Sequence, residues 1–429
     1  MGSSWNEKPL GELISYISRG VTPKYVESAD ENAVIVLGQR CVRNSGLDIS
    51  QSRFHDLSAK KVKDEKFVRM HDILITATGV GCAGLVSQVL DSLPYGTLTD
   101  SHVLTLRAKD IDPVYLGYFI KSKQYMLELM AEGSTGQTEM NKTRVQKEIV
   151  VTYPMDASVQ KAIADTLRDF DEKIEINKQL NDYLRELIKV LFAHWFKDFA
   201  PFQSEDTYVT EIGDIPTSVN LVPLAELTKV ITKGTTPTTL GFEYKKSGIN
   251  FIKGESIGDD HSFDYGKFAH IDEEANAALK RSVIEDRDLL FTIAGTLGRF
   301  AMAEKEMIPA NTNQAVGIIR ADERLLTPEV LLSYFIGGWQ EDYYARRVQQ
   351  AVQANLSLTT LKSLPVPILE GNRRSEYEEQ IVPIIHAIEA NNTENRRLSE
   401  LRDILLPKLM SGEIDVSKID LTQLNNHLA

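Results

Sequence analysis

The second half of this sequence matches the first half in the same order, at an offset of 214 to 216 positions. Residues 13–23 (LISYISRGVTP) align with 227–237 (LTKVITKGTTP), and 76–79 (TATG) align with 292–295 (TIAG). Each repeat covers about 200 residues, which is too long for one unit of a solenoid. The repeat therefore predicts two similar globular domains, each followed by a helix.

A heptad pattern predicts that these helices are long. Residues 157–199 contain neither Gly nor Pro, and their apolar positions alternate spacings of four and three, as in a coiled-coil seam. The seam comprises Ile163, Leu167, Phe170, Ile174, Asn177, Asn181, Leu184, Ile188, Leu191 and Trp195. It recurs 214 residues later, interrupted by Arg402, and Pro383 and Pro407 are expected to kink or shorten that second helix. Two such seams should pack together as a rigid antiparallel pair about 60 Å long that holds the two domains apart.

Four asparagines lie inside the two seams: Asn177, Asn181, Asn391 and Asn395. A buried Asn costs stability but fixes helix register, because only a matched partner satisfies its amide. We hypothesise that these four amides meet where the helices cross and set the helix register. The alternative is that they are exposed on a solvated face.

The remaining sequence predicts mixed α/β (α+β) domains related by pseudo-two-fold symmetry. Short apolar runs between turn signals predict strands at 34–38, 72–76, 102–107, 250–253, 289–292 and 315–320. Helices are predicted at 114–130 and 328–347. The predicted boundaries are a first globular domain at 1–155, a central helix at 156–200, a second globular domain at 201–373, and a C-terminal helix and tail at 374–429.

Charge and composition limit the partners of the chain. The net charge of −13 counts against a broadly basic nucleic-acid surface, with residues 1–155 neutral and residues 201–373 at −7. Any DNA-binding surface should therefore be a local basic patch that depends on a partner for further phosphate contacts. Two cysteines and the lack of a signal peptide or a long apolar run predict a cytoplasmic protein that does not span a membrane.

The motifs of common catalytic sites are missing from the sequence. Residues 79–84 (GVGCAG) spell GxGxxG, but a strand and a turn are predicted to follow, so a hairpin turn is favoured over a dinucleotide site. There is no Pro-Pro dipeptide of the amino-methyltransferase type and no GxxxxGK[ST] loop. The histidines and cysteines show no metal-ligand spacing. We expect no catalytic residue, no metal and no cofactor in this chain.

Polar turns at matching places in both repeats are candidates for DNA contacts. Arg, Lys, Asn and Gln side chains read base edges, whereas hydroxyls and backbone amides suit phosphates. The candidates in the first repeat are Arg19, Thr22, Lys24, Gln39, Arg40, Arg43, Ser134, Thr135, Gln137, Asn141, Lys142 and Arg144. Those in the second repeat are Lys233, Thr235, Thr236, Lys253, Arg299, Arg346, Arg347, Gln350, Gln353 and Asn355. Two turns that share a sequence pattern but carry different polar side chains are typical of domains that bind two different DNA half-sites.

Several strings resemble the specificity subunits of type I restriction–modification enzymes. They are SWN at 4–6 with LGEL at 10–13, the RGVTP and KGTTP turns, QKAIA at 160–164, LFAHWF at 191–196 and, most specific, LLPKLMSGE at 405–413. The resemblance covers essentially the whole chain. It implies two target recognition domains and two spacer helices that also dock methyltransferase subunits.

The resemblance further implies a non-catalytic subunit that binds a two-part double-stranded DNA target. It would position methyltransferase subunits, two being expected, which modify adenine with S-adenosylmethionine, and endonuclease or translocase subunits could join. Two alternatives stay open: a single-chain restriction–methylation enzyme, and a coiled-coil scaffold that binds only protein. The missing catalytic motifs disfavour the first, and the turns rich in Arg, Gln and Thr disfavour the second.

Overall fold

The computed structural model describes residues 4–27, 32–43, 46–79, 81–94, 96–131, 140–210, 213–295, 297–341, 343 and 358–416. The chain divides into two compact units. The first unit combines Met1–Glu175 with Glu394–Ala429, and the second is Ile176–Thr393. Each unit therefore contains one domain and one part of each long helix.

The strands of the first unit are β1 (Trp5–Pro9), β2 (Ile14–Arg19), β3 (Tyr25–Val26), β4 (Ala33–Leu37), β5 (Val42–Arg43), β6 (Gly46–Leu47), β7 (Arg53–Asp56), β8 (Ile73–Thr76), β9 (Val86–Gln88), β10 (Leu98–Thr99), β11 (Val103–Ala108) and β12 (Val150–Pro154). Its short helices are α1 (Pro113–Ser122), α2 (Gln124–Ala131) and α3 (Lys142–Glu148). The long helix α4 (Ala157–Phe196) follows.

The strands of the second unit are β13 (Thr207–Thr210), β14 (Gly213–Pro216), β15 (Asn220–Pro223), β16 (Thr228–Lys233), β17 (Ile249–Ile252), β18 (Ala269–Ile271), β19 (Val283–Ile284), β20 (Leu289–Thr292), β21 (Phe300–Met302), β22 (Ala310–Thr312), β23 (Val316–Ala321) and β24 (Pro365–Ile368). Its short helices are α5 (Glu273–Ala278), α6 (Pro328–Ile336) and α7 (Leu358–Lys362). The second long helix is α8 (Gly371–Met410).

The sheets repeat almost strand for strand between the units. An antiparallel sheet has the order β2-β11-β8-β9 in the first unit and β16-β23-β20-β21 in the second. In the other large sheet, β4 lies between parallel β10 and antiparallel β7, just as β17 lies between parallel β22 and antiparallel β18. Only the edge strands differ, β3 beside β7 and β19 beside β22. The predicted mixed α/β duplication is confirmed.

The first helix after the antiparallel sheet begins in the same way in both units. Asp112 accepts hydrogen bonds from the first backbone amides of α1, and Thr327 does so for α6. A proline follows each cap, at the position where the missing N–H costs nothing. Both helices cover their sheet with buried side chains, among them Tyr115 and Phe335.

A buried ion pair also recurs in both units. The Arg107 guanidinium donates to both carboxylate oxygens of Asp72 at 2.8 and 2.7 Å, and Arg320 makes the same contact with Asp288 at 2.7 and 2.7 Å. Both aspartate side chains are fully buried. Burial raises the pKa of Asp288, and the hydrogen bonds from Arg320 oppose that rise. The pair holds β23 to the turn that precedes β20.

Replacing Asp288 by Asn is expected to lower the free energy of unfolding by about 2 kcal/mol, because the Arg320 guanidinium then loses its buried charged acceptor and keeps the exposed Glu285 as its ion-pair partner. The measurement is the urea midpoint followed by tryptophan fluorescence, since Trp195 and Trp339 both lie in the second unit. Asp286→Asn is the matched control, because Asp286 is exposed. Equal midpoints for the two variants would contradict the prediction.

The two long helices pack against each other within each unit. In the first unit, Phe170 and Ile174 of α4 form a buried cluster with Leu398 of α8. Arg402, which interrupts the seam, donates to Asp171. The segments run antiparallel, as the heptads predict, because later residues of α4 meet earlier residues of α8.

The second unit shows the same antiparallel pairing through aromatic side chains. Trp195 and Phe196 lie 5.6 and 5.0 Å from the Tyr377 ring, measured between ring centroids. The Trp195 indole donates to the Gln380 side chain at 3.3 Å. The predicted seam is therefore largely buried in α4, and it is half-buried or buried in α8.

The expectation that Pro383 and Pro407 shorten the second helix is wrong. The helix α8 continues for 40 residues through both prolines. Both are exposed, so water can satisfy the carbonyl that each proline leaves without a donor. Packing on the opposite side of α8 keeps the chain helical at both prolines.

Three asparagine amides form a cluster in the second unit. The Asn181 side chain donates to Asn392 and accepts from Asn391, both at 2.8 Å, and it is 1% exposed. Asn177 is equally buried, and Asn395 is half-buried in the first unit. Asn392 was not among the predicted residues, although it follows one of them. The role of this cluster in helix register stays a prediction.

The predicted strands lie within about one residue of the observed bounds, and 289–292 matches β20. The predicted helix 114–130 is two helices, because α1 ends at Ser122 and the backbone amide of the next residue, Lys123, donates to the Ile120 carbonyl. The helix predicted at 328–347 ends at Ile336, where Gly337 and Gly338 follow. The GxGxxG string connects antiparallel β8 and β9, which confirms the hairpin turn.

Candidate nucleic-acid interface

A glycine turn follows the first strand of the antiparallel sheet in the first unit. A Cβ on Gly20 would lie 2.0 Å from the Thr99 carbonyl oxygen, so only glycine fits there. The Gly20 amide donates to Val103 and the Val21 amide donates to Thr99, at 3.0 and 2.8 Å. This close approach fixes the backbone that carries Arg19, Thr22 and Lys24.

Side chains from distant parts of the chain surround this turn, which we call turn 1 (residues 19–24). The Arg19 guanidinium donates to the Met140 carbonyl at 2.8 Å. The Lys24 amide donates to His55 Nδ1 at 2.8 Å, and His55 is fully buried. Thr22 and Lys24 are exposed. Turn 1 is therefore held by its backbone and by Arg19, while the side chains of Thr22 and Lys24 remain at the surface.

Two lysines that were not predicted also contact turn 1. Lys66 Nζ donates to Ser18 Oγ and to the Arg19 carbonyl, both at 2.6 Å, and Lys60 Nζ donates to the Thr22 carbonyl at 3.1 Å. The string KKVK at 60–63 marks this lysine-rich segment in the sequence. It was missed because nothing in the sequence places that segment beside residues about 40 positions earlier.

The next predicted group follows β4. Gln39 lies beside the β8–β9 hairpin, with its Oε1 3.8 Å from Cys82 Sγ. Arg40 and Arg43 are exposed, and no contact among the described residues joins them to turn 1. Burial raises the pKa of Asp100, which lies beside Gly38 and accepts the His102 amide at 2.9 Å.

Two of the predicted residues at the start of α3 make contacts within the protein. Asn141 caps the helix by accepting the Thr143 amide at 2.8 Å, and Arg144 pairs with Glu148 at 2.8 Å. Lys142 is exposed, and it lies two residues after Met140, whose carbonyl accepts a hydrogen bond from Arg19. The predicted Ser134, Thr135 and Gln137 lie outside the described residues.

The second unit builds the same turn at residues 233–239, which we call turn 2. A Cβ on Gly234 would lie 1.8 Å from the Thr312 carbonyl oxygen, which repeats the constraint on Gly20. Arg281 donates to the Lys233 carbonyl and to Thr235 Oγ, both at 3.4 Å. The Thr236 hydroxyl donates to Gln314. Turn 2 therefore keeps the frame of turn 1 with other polar side chains.

Two further predicted cations of the second unit, Lys253 and Arg299, are paired with acids. Lys253 Nζ lies 3.8 Å from Glu255 and 4.7 Å above the centre of the Tyr244 ring. Arg299 donates to Asp259 at 2.9 Å and to the Ile257 carbonyl at 3.1 Å. The predicted Arg346, Arg347, Gln350, Gln353 and Asn355 lie outside the described residues.

Two further observations concern the described part of the chain. No helix in it combines the length and the apolar character that crossing a membrane requires. Within the same ranges, no three His, Cys, Asp or Glu side chains are grouped to hold a metal ion.

Comparison with known proteins gives a family and a fold. Residues 2–186 and 216–402 match the family model described as the type I restriction modification DNA specificity domain. One relative, the HindI specificity subunit of a type I restriction enzyme from Haemophilus influenzae, is 23% identical over 96% of this chain and 100% of its own length. The MjaIX specificity subunit from Methanocaldococcus jannaschii is 26% identical over 71% and 70%.

A solved structure shares the fold. The S subunit of a type I restriction–modification system from M. genitalium superposes with a TM-score of 0.51 at 16% identity. The superposition covers 95% of this chain and 96% of that one. The two matched ranges of the family model fall on the two repeats, one in each half of the sequence.

Proposed function

The chain belongs to the type I restriction–modification DNA specificity family, and we propose that it reads a two-part double-stranded DNA target and catalyses no reaction itself. The observation that carries this proposal is the pair of turns. Turn 1 and turn 2 have the same glycine constraint and the same flanking strands but different polar side chains. Two copies of one frame with different donors suit two different half-sites.

The proposal assigns the chemistry to partner subunits. A methyltransferase subunit would bind S-adenosylmethionine and transfer its methyl group to adenine, and an endonuclease subunit could join the same assembly. This chain contributes recognition and position, and the expected location is the cytoplasm.

An exposed apolar stripe on α4 supports docking of a methyltransferase subunit. Its members repeat every four and three residues, and 44 to 74% of each is exposed; they are Ile176, Leu180, Tyr183, Leu187 and Val190. All five lie in the second unit, on a different face of α4 from the seam. The stripe is about 21 Å long at about 1.5 Å per residue.

We assign one occupant to this stripe, an amphipathic helix of the methyltransferase subunit. A regular heptad stripe fits a partner helix with its own heptads better than it fits a loop or a sheet edge. Exposed apolar patches of this kind mark protein contacts. Lys173 and His194 occupy the heptad positions before and after the stripe, and both are polar. The partner helix therefore needs about four turns to cover the stripe.

The experiment that tests the function maps adenine methylation in a genome with and without this gene, in the presence of its methyltransferase partner. We expect one motif of two fixed parts separated by unread bases, and its loss when the gene is removed. Exchanging residues 1–155 for the corresponding domain of another family member should change only one part. Methylation that is independent of the gene would overturn the proposal.

A further inference from the structure

A lysine-rich segment follows β7 in the first unit. Residues 57–66 (LSAKKVKDEK), which we call the lysine loop, contain four lysines and two acids. Lys60, Lys61 and Lys63 are exposed. The surrounding domain has no net charge, so the loop concentrates positive charge at one place.

The lysine loop lies against turn 1. Two of its ammonium groups, those of Lys60 and Lys66, donate to backbone carbonyls of residues 19–22. Burial lowers the pKa of Lys66, the Glu65 carboxylate opposes that shift, and the nearby ammonium groups of Lys142 and Lys63 add to it. At least three cations therefore border the turn that we assign to DNA reading.

The second unit has the same framework cation but only one additional lysine, Lys280, where the first unit has three. Arg281 donates to the Lys233 carbonyl as Lys66 donates to the Arg19 carbonyl, and the two contacts are related by the repeat. The segment before Arg281 is 272–281 (DEEANAALKR), which begins with three acids. Asp272 caps α5 there, and Glu273 and Glu274 are exposed. The charge at this place is thus reversed between the two units.

Ion pairing increases this difference in charge between the two units. Among the described residues, Lys60, Lys61, Lys63, Lys66 and Lys142 form no ion pair with a carboxylate. In the second unit, the predicted cations Lys253 and Arg299 are paired with Glu255 and Asp259. Among the described residues, the lysines beside turn 1 therefore keep a positive charge that no ion pair neutralises, whereas Lys253 and Arg299 are neutralised by ion pairs.

We infer that the lysine loop binds phosphate groups of the DNA beside the half-site read by turn 1, and that the first domain anchors the complex on DNA. The inference rests on the proposed function. A merely solubilising role fits less well, because two of the four lysines contact the turn itself. Phosphate contacts carry no base information, so the loop should contribute affinity without changing the sequence that is read.

The test measures the salt dependence of DNA binding by the chain reconstituted with its methyltransferase subunits, on a duplex that carries the mapped motif. Lys61→Gln with Lys63→Gln should reduce the slope of log K against log salt concentration by about 1.8, since each lost phosphate contact removes about 0.9. Both side chains are exposed, so folding should be unaffected. The methylated motif should stay the same.

Matched variants in the second unit complete the test. Lys246→Gln with Lys280→Gln removes the same charge from exposed positions and should leave the slope unchanged. Glu273→Lys with Glu274→Lys should increase the slope, because it replaces two exposed acids of the aligned segment by lysines. Equal losses from the two glutamine pairs, or no loss from the first, would overturn the inference. Absence of specific binding by the unaltered complex would instead overturn the proposed function.

Discussion

Replacing Tyr183 and Leu187 together by Asp is expected to weaken binding of the methyltransferase subunit at least about 100-fold. The two side chains are 74% and 44% exposed in the middle of the apolar stripe, so the free chain should fold normally. In the complex, each carboxylate would have to be buried without a partner. Leaving a charge buried and unpaired costs about 3 to 5 kcal/mol, and about 1.4 kcal/mol corresponds to a tenfold change in affinity.

The measurement is co-purification of the two subunits, followed by titration calorimetry. Lys178→Asp is the matched control, because it changes the net charge by the same two units on another exposed face of α4. The control should bind as the unaltered chain does. If the double variant still binds the methyltransferase subunit but loses self-association, the stripe holds a second copy of this chain and our assignment of its occupant is wrong.

The sequence predicted those features of the fold that depend on periodicity. The repeat, the two seams and strands such as 289–292 are visible because each buried face imposes its own spacing on the residues that form it. The prediction for the two prolines of α8 was wrong because it relied on the low helix propensity of proline. Packing of the helix, rather than propensity, determines its length. Pro383 and Pro407 face outward, so the helix keeps its buried side and its length.

The candidate site was predicted less completely, because its contacts join distant parts of the chain. The turns at Gly20 and Gly234 were identified from their composition. The reason for each glycine, a carbonyl oxygen about 80 residues later, has no local signal. The contact between Lys66 and Arg19 and the ion pair between Arg107 and Asp72 are equally non-local. The types of side chain therefore identified the turns in the sequence, whereas only the folded structure shows which lysines lie beside them.

The substitutions Gly20→Ala and Gly234→Ala are each expected to abolish reading of one half-site. The added Cβ would lie 2.0 Å from Thr99 O in the first unit and 1.8 Å from Thr312 O in the second. Both obstacles are backbone atoms in paired strands, so the turn has to move by about 1 Å. A displacement of that size costs about 100-fold where geometry decides the interaction.

The measurement is binding of the reconstituted complex to three duplexes: the full target, and two targets in which one half is scrambled. The Gly20→Ala complex should bind the full target no better than the duplex with its first half scrambled, while it still discriminates the second half. Gly234→Ala should show the opposite pattern. Gly317→Ala is the control, because its Cβ would meet only ordinary contacts at 3.5 Å although β23 pairs with β16 beside turn 2.

Comparing the two variants separates a reading defect from a folding defect. The docking stripe lies on α4 and does not include either turn, so both variants should bind the methyltransferase subunit normally. Independent readers also predict that the losses add in the double variant, because sites without shared partners contribute additively to the free energy. Loss of discrimination at both half-sites from Gly20→Ala alone would show that the two turns do not read separately.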